Sequence, residues 1–172
     1  MVSVADVTET TQYLTFTLGE EVFAVDISKI REVLEFTTVT KVPRTPAFMR
    51  GVINLRGSVV PVVDLRLKFG MSGTEKTIDT CVVITEIESE GETAVVGALA
   101  DSVQEVFELD PGAIEPAPKI GTSLNTEFIT GMGKRDDQFI IILDIDKIFT
   151  SDEVVAVQQA GGASADDMDM DD

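Results

Sequence analysis

The chain contains no histidine and no tryptophan, and only one cysteine and one tyrosine among its 172 residues. Without histidine, the commonest general base and the commonest zinc ligand are missing. A single cysteine makes neither an internal disulfide framework nor a cysteine-based metal site, and it fits a reducing compartment. Cys81 sits in the apolar run Thr80-Cys81-Val82-Val83-Ile84, which predicts a buried structural thiol rather than a nucleophile. The scarcity of tryptophan and tyrosine speaks against an aromatic groove for proline-rich peptides. No apolar stretch approaches the ~20 residues needed to cross a bilayer. The N-terminus, MVSVADVTETTQ, has neither a basic region nor a long apolar region, so no secretory signal is expected. On these absences the expected location is the cytoplasm.

The motif inventory is equally thin. There is no GxSxG, no phosphate-binding loop and no GxGxxG, and Gly131-Met132-Gly133-Lys134 lacks the flanking residues of a phosphate loop. Asp144 and Asp146 lack the remaining ligands and the glycine of a calcium loop. Nothing positions a pair of carboxylates for glycoside hydrolysis. No enzyme, no cofactor and no metal site is expected.

Positive charge is also scarce, and unevenly placed. The net charge is −18, and residues 151–172 carry seven acids and no base. From Lys29 to Lys76 the balance reverses, with nine bases against four acids. Phosphate backbones would be repelled by most of this surface, so no nucleic-acid binding is expected. The basic stretch reads either as a surface that docks on proteins or as a solvated face.

What is present is apolar residue in short alternating runs. At 44% hydrophobic residues, most of the chain has the means to fold. Tyr13 to Leu18 alternates, Gly19-Glu20-Glu21 turns, and Val22 to Val25 returns, which is a β-hairpin signal. Asp26 is placed to cap a short turn of Ile27-Ser28-Lys29-Ile30, and Glu32 to Thr40 reads as extended. Thr45 followed by Pro46 predicts a brief helix to Met49. Two strands flank Arg56-Gly57-Ser58, and Pro61 in the second predicts an edge or a bulge. Strands are predicted from Asp79 to Ile87, Thr93 to Ala100, Phe128 to Met132 and Gln138 to Leu143, with Asp110-Pro111 capping a turn. Ser151-Asp152-Glu153 is expected to open a short helix. Short strands with glycine-rich turns predict small β-barrels.

The chain also echoes itself. Phe48, Gly51, Asp64 and Phe69 recur with the same spacing as Phe128, Gly131, Asp144 and Phe149. Residues 28–36 match residues 101–109, setting Glu32 opposite Glu105 and Val33 opposite Val106. This predicts two homologous β subdomains from an internal duplication. Neither half is long enough to be comfortable alone, so the two should share contacts. The expected organisation is a flexible segment 1–11, a β domain 12–150, a short helix 151–160 and a disordered acidic tail 161–172.

Ile53-Asn54-Leu55-Arg56-Gly57 followed by Val59-Val60-Pro61-Val62-Val63-Asp64-Leu65-Arg66 resembles the CheW family of chemotaxis coupling proteins. The resemblance continues in residues 45–52, 131–134 and 143–149 and spans roughly 12–150. It implies an all-β fold of two SH3-like five-stranded β-barrels sharing a core. It also implies a non-catalytic adaptor linking the cytoplasmic hairpin of a chemoreceptor to the regulatory domain of the histidine kinase CheA. Such an adaptor is a monomer in isolation, cytoplasmic, without direct membrane contact, and recruited to membrane-associated receptor arrays. The resemblance implies a pairing of Arg56 with Glu32 beside the receptor-docking surface; a solvated turn arginine is the plainer alternative. It further suggests a receptor groove of Ile30, Glu32, Val33, Arg56, Val95, Ala98 and Leu99, leaving the kinase-binding residues unassigned beyond the barrel ends. A coupling protein of a non-flagellar pathway, governing pili or development, fits the same residues. A chain without histidine does not fit the kinase itself, and a scaffold fused to a receiver domain needs about another hundred residues.

Overall fold

The alternating runs form the strands that their periodicity predicts. The computed structural model describes residues 11–36, 38–43, 45–89, 91–115, 128–135, 138–150 and 152–157. The expected flexible N-terminus, apart from residue 11, and the acidic tail lie outside these residues, as do residues 158–160 of the expected helix. Eleven strands are described: β1 (Thr11–Leu18), β2 (Glu21–Asp26), β3 (Ile30–Glu35), β4 (Met49–Leu55), β5 (Ser58–Asp64), β6 (Cys81–Ser89), β7 (Glu92–Ala100), β8 (Ser102–Leu109), β9 (Ile114–Glu115), β10 (Ile129–Arg135) and β11 (Gln138–Leu143). They make two sheets, ordered β8-β1-β2-β11-β10-β9 and β3-β6-β7-β5-β4.

This order does not assign one barrel to each of the two expected repeats. The repeats are not the barrels. The hairpin β1–β2 belongs to the first repeat but lies in the sheet built from the second, where β2 runs parallel to β11 through Phe23↔Ile141. The hairpin β6–β7 makes the reciprocal exchange, with β7 parallel to β5 through Gly97↔Val62. Each barrel is therefore completed by the other repeat's hairpin.

Two-residue periodicity lets each strand serve two cores. Tyr13, Val22, Ala24, Phe107, Leu109, Ile140 and Ile142 fill the interior of one barrel. Ile53, Val60, Val62, Val82, Ile84 and Leu99 fill the other. The alternate residues, among them Phe16, Phe23, Val63, Val83, Val96 and Leu143, pack into one large cluster that both sheets share.

The repeated Phe, Gly, Asp, Phe spacing is the frame of this shared core. Phe48 contacts Phe149 at 5.3 Å between ring centroids, and Phe69 contacts Phe128 at 5.8 Å, so the aromatic residues of each repeat pack on the other's. The Asp64 N–H donates to the Phe48 carbonyl at 2.7 Å, and the Asp144 N–H to the Phe128 carbonyl at 2.8 Å. Gly51 and Gly131 sit at twin β-bulges.

A cation seals the junction. Lys68 Nζ lies 2.8 Å from both Glu153 oxygens and over the rings of Phe48, Phe128 and Phe149. This fastens the helix 152–157, whose Val154 and Val157 are buried in the shared core. Thr150 caps it: Glu153 N–H donates to Thr150 Oγ1 at 3.1 Å, and Thr150 N–H donates to Glu153 Oε1 at 2.9 Å, a capping box. Despite its own desolvation, the Glu153 carboxyl is held below its usual range by hydrogen bonds from Lys68 and Thr150.

Three local expectations change. Residues 46–49 form a single turn, closed by Met49 N–H on the Pro46 carbonyl at 3.0 Å, because Met49 is already committed to β4. Pro61 lies in an interior strand rather than at an edge. It faces Val52, whose N–H and carbonyl both bond Thr40, and it precedes the first pairing of β5 with β7, so no ladder bond needs its missing donor. Cys81 is half-buried rather than buried; its thiol donates to the Asp79 carbonyl, and burial raises its pKa.

Gly51 has φ +146°, and a Cβ there would lie 2.1 Å from the Thr40 carbonyl oxygen. Gly57 has φ +89° but open space around it. Gly51→Ala should therefore cost about 2–4 kcal/mol in urea unfolding, against about 1 kcal/mol for Gly57→Ala. Equal costs for the two would contradict the close approach of residue 40 to β4.

Candidate docking site

The arginine that interrupts the apolar run lies in the two-residue turn between β4 and β5. Arg56 has φ 51° and Gly57 φ 89°, so both central residues are left-handed, as a tight hairpin of this kind requires. Asn54 steadies the turn by accepting the Gly57 N–H at 2.8 Å. Arginine is a poor choice for positive φ, where glycine or asparagine is usual, and Arg56 is the one non-glycine residue with positive φ among those described.

The side chain explains the placement. Arg56 Nη1 donates to Glu32 Oε2 and Nη2 to Glu32 Oε1, both at 2.7 Å, a bidentate fork. Glu32 is on β3 and Arg56 follows β4, the two outer strands of their sheet. The ion pair thus spans the open edge of the barrel. Along the same edge, Thr40 and Val52 exchange backbone hydrogen bonds of 2.9 and 2.8 Å. A covalently continuous segment and an ion pair close one barrel between them.

The arginine hydrogen bond holds the Glu32 carboxyl below the 4.5 of a free glutamate, and Glu32 in turn raises the guanidinium. A depressed carboxylate contributes stability above its unfolded value and loses it as pH falls through the folded one. The pair is therefore intact at neutral pH and opens only in acid. The Arg56 side chain remains 70% exposed, so solvent screens the attraction and the pair fixes geometry more than it stabilises.

The structure brings four of the seven groove candidates together and separates three. Ile30, Glu32 and Val33 follow one another on β3, with Arg56 clasped to the middle residue. Ile30 is half-buried against the shared core, while Val33 is 39% exposed. Val95 lies on β7 and packs partly buried against the interior of the barrel. Ala98 and Leu99 are core: 4% and 0% exposed, they point to opposite faces of β7, one into the shared cluster and one into the barrel. Neither offers surface to a partner, because β7 is an interior strand covered on both faces.

The basic stretch also resolves. Lys29 pairs with Asp146, Arg31 with Glu86, Arg50 with Asp64, Arg56 with Glu32, Arg66 with Asp101 and Lys68 with Glu153. Lys76 lies over the Phe36 ring, and Arg44 is outside the described residues. Six of the nine bases are thus paired internally, so the excess in sequence is not an excess on the surface. Two features went unread in the sequence. Val106 is 46% exposed, and the echo with Val33 already marked its position. Asn54 braces the turn, and its signal was an asparagine three residues before a glycine.

Arg56→Asn keeps a residue that tolerates positive φ and removes the fork. The melting temperature should stay within about 2 °C, since exposed pairs stabilise little. NMR titration should show the Glu32 carboxyl rising toward its unperturbed value. A large drop in melting temperature would make the pair a structural clamp.

Residues 12–153 match the family model described as the CheW-like domain. The chain is 38% identical over 146 residues to the chemotaxis protein CheW of Klebsiella aerogenes, covering 85% of this chain and 86% of that protein. It is 32% identical over 142 residues to the chemotaxis protein CheW of Rhizobium meliloti, covering 83% and 89%. Its fold matches the crystal structure of the scaffolding protein TtCheW from Thermoanaerobacter tengcongensis with a TM-score of 0.73 and 37% identity, over 83% of this chain and 90% of that one. With the duplicated SH3-like barrels in place, the chain belongs to the CheW-like family.

Proposed function

We propose that this protein is a non-catalytic scaffold of chemotaxis signalling that couples the cytoplasmic hairpin of a chemoreceptor to the regulatory domain of the histidine kinase CheA. It works in the cytoplasm and is recruited to membrane-associated receptor arrays. The names of its relatives support the scaffold role in chemotaxis. One observation supports the receptor contact: an outer strand carries exposed Val33 beside a bidentate ion pair that spans the barrel edge.

A receptor helix presents apolar anchors at helical spacing and needs a rigid apolar strip to receive them. Ile30 and Val33 provide that strip, and Ile27, half-buried against the shared core, extends it. Arg56 holds Glu32 in a fixed direction, so the polar rim is set before the partner arrives. The kinase domain meets the barrel ends, one of which carries Phe139 with half its surface exposed.

Calorimetric titration of the full chain with a receptor cytoplasmic hairpin and, separately, with the kinase regulatory domain tests both arms. Val33→Asp adds charge at an exposed position and should weaken the receptor arm by about tenfold without lowering the melting temperature. Arg56→Asn should weaken the same arm and spare the kinase arm. Receptor binding indifferent to both substitutions would place the docking surface elsewhere.

A further inference from the structure

The duplication sets one carboxylate in two different surroundings. Asp64 and Asp144 each end a β-hairpin and cap the short helical turn that follows. Asp64 is fully buried and accepts from Arg66 N–H at 3.1 Å, Thr74 N–H at 2.9 Å, Thr74 Oγ1 at 2.8 Å and Arg50 Nη1 at 2.9 Å. Asp144 accepts the equivalent backbone donor, Asp146 N–H, at 3.2 Å, and its cation, Lys147 Nζ, stands 3.9 Å away.

The difference has two causes in the sequence. Arg50 and Thr130 occupy equivalent positions, each one residue before the bulge glycine, and threonine is too short to reach the carboxylate. Thr74 lies ten residues after Asp64, but ten residues after Asp144 comes Val154, which is buried in the shared core. Where the first repeat brings in a guanidinium and a threonine, the second leaves a recess of about 210 Å³. Its walls include Tyr13, Asp26, Lys29, Thr130, Ile142 and Asp144. Lys29 in this lining pairs with Asp146 at 2.8 Å and Lys147 stands 3.9 Å from Asp144, so with Asp26 the balance of charge around the recess is negative.

We propose that this recess receives the guanidinium of an arginine side chain presented by a partner protein, which does for Asp144 what Arg50 does for Asp64. A planar fork with five donors suits a recess lined by two carboxylates, and Tyr13 and Ile142 in the same lining suit the stem of a long side chain. Lysine, a compact and strongly hydrated charge, fits less well. The assignment rests on the chain's own second copy of the site and is independent of the docking strip on β3.

The test is an NMR titration of the full ¹⁵N-labelled chain with N-acetyl-arginine methylamide, with the lysine analogue and free L-arginine as parallel arms. Saturable shifts at the amides of residue 130 and residues 144–147 are expected, with the blocked arginine binding at least about threefold tighter than lysine. Thr130→Arg places a guanidinium where Arg50 has its own, and it should raise the melting temperature and abolish the probe's shifts. Asp144→Asn keeps the cap and should weaken the probe about fivefold or more. No saturable shift, an equal response to lysine, or shifts unchanged in both variants would overturn the site. Tighter binding of free L-arginine than of the blocked form would overturn the protein partner in favour of the free amino acid.

Discussion

Each barrel is completed by a hairpin from the other repeat, and everything else in the molecule depends on that exchange. Neither sheet can close without the hairpin of the other repeat, so the folding unit is the whole β domain. The shared core follows directly: strands of both sheets turn alternate residues toward each other, and the four phenylalanines of the repeated motif pack across the junction. Such an arrangement favours a single cooperative transition, because loss of either hairpin opens the barrel it completes and strips the core that both sheets share.

Two pins hold the exchanged hairpins, and they are built alike with reversed charge. Asp101, just before β8, accepts the Gly19 N–H at 2.6 Å and Arg66 Nη1 at 2.7 Å. Asp146 accepts the Glu88 N–H at 2.8 Å and Lys29 Nζ at 2.8 Å, with Lys29 just before β3. In the first pin the helical turn after β5 gives the cation; in the second the turn after β11 gives the anion. Similar backbone contacts are held by opposite charge assignments, which makes the two hairpin sockets chemically distinct.

The pins, the Arg56 fork and the Lys68 clasp commit four cations of the basic stretch to partners within the molecule. A molecule of net charge −18 with many of its bases paired to its own acids presents a largely negative exterior, which favours encounter with basic or apolar partner surfaces. The duplicated frame supplies rigidity, and the places where the twins differ supply individuality. Arg56 reaches across an open barrel edge, and Thr130 stands where the first repeat has Arg50. Both are departures of one repeat from the other rather than features of the fold they share.

By itself the sequence determined most of the strands, the repeated spacing and the need of Arg56 for a partner, while the resemblance to the family named Glu32 as that partner. Strand periodicity of two is a local property, the Phe, Gly, Asp, Phe spacing repeats in register, and a charged residue inside an apolar run demands a counter-charge. Only the tertiary structure decided which hairpin joins which barrel, because exchange leaves the local pattern of every strand unchanged. It alone decided that Ala98 and Leu99 are core while Val33 is exposed, because β7 is an interior strand of its sheet and β3 an outer one. It also decided that the basic stretch is internally neutralised, with Arg66 meeting Asp101 and Lys68 meeting Glu153. Those partners lie 35 and 85 residues away along the chain, a distance at which composition carries no information about contact.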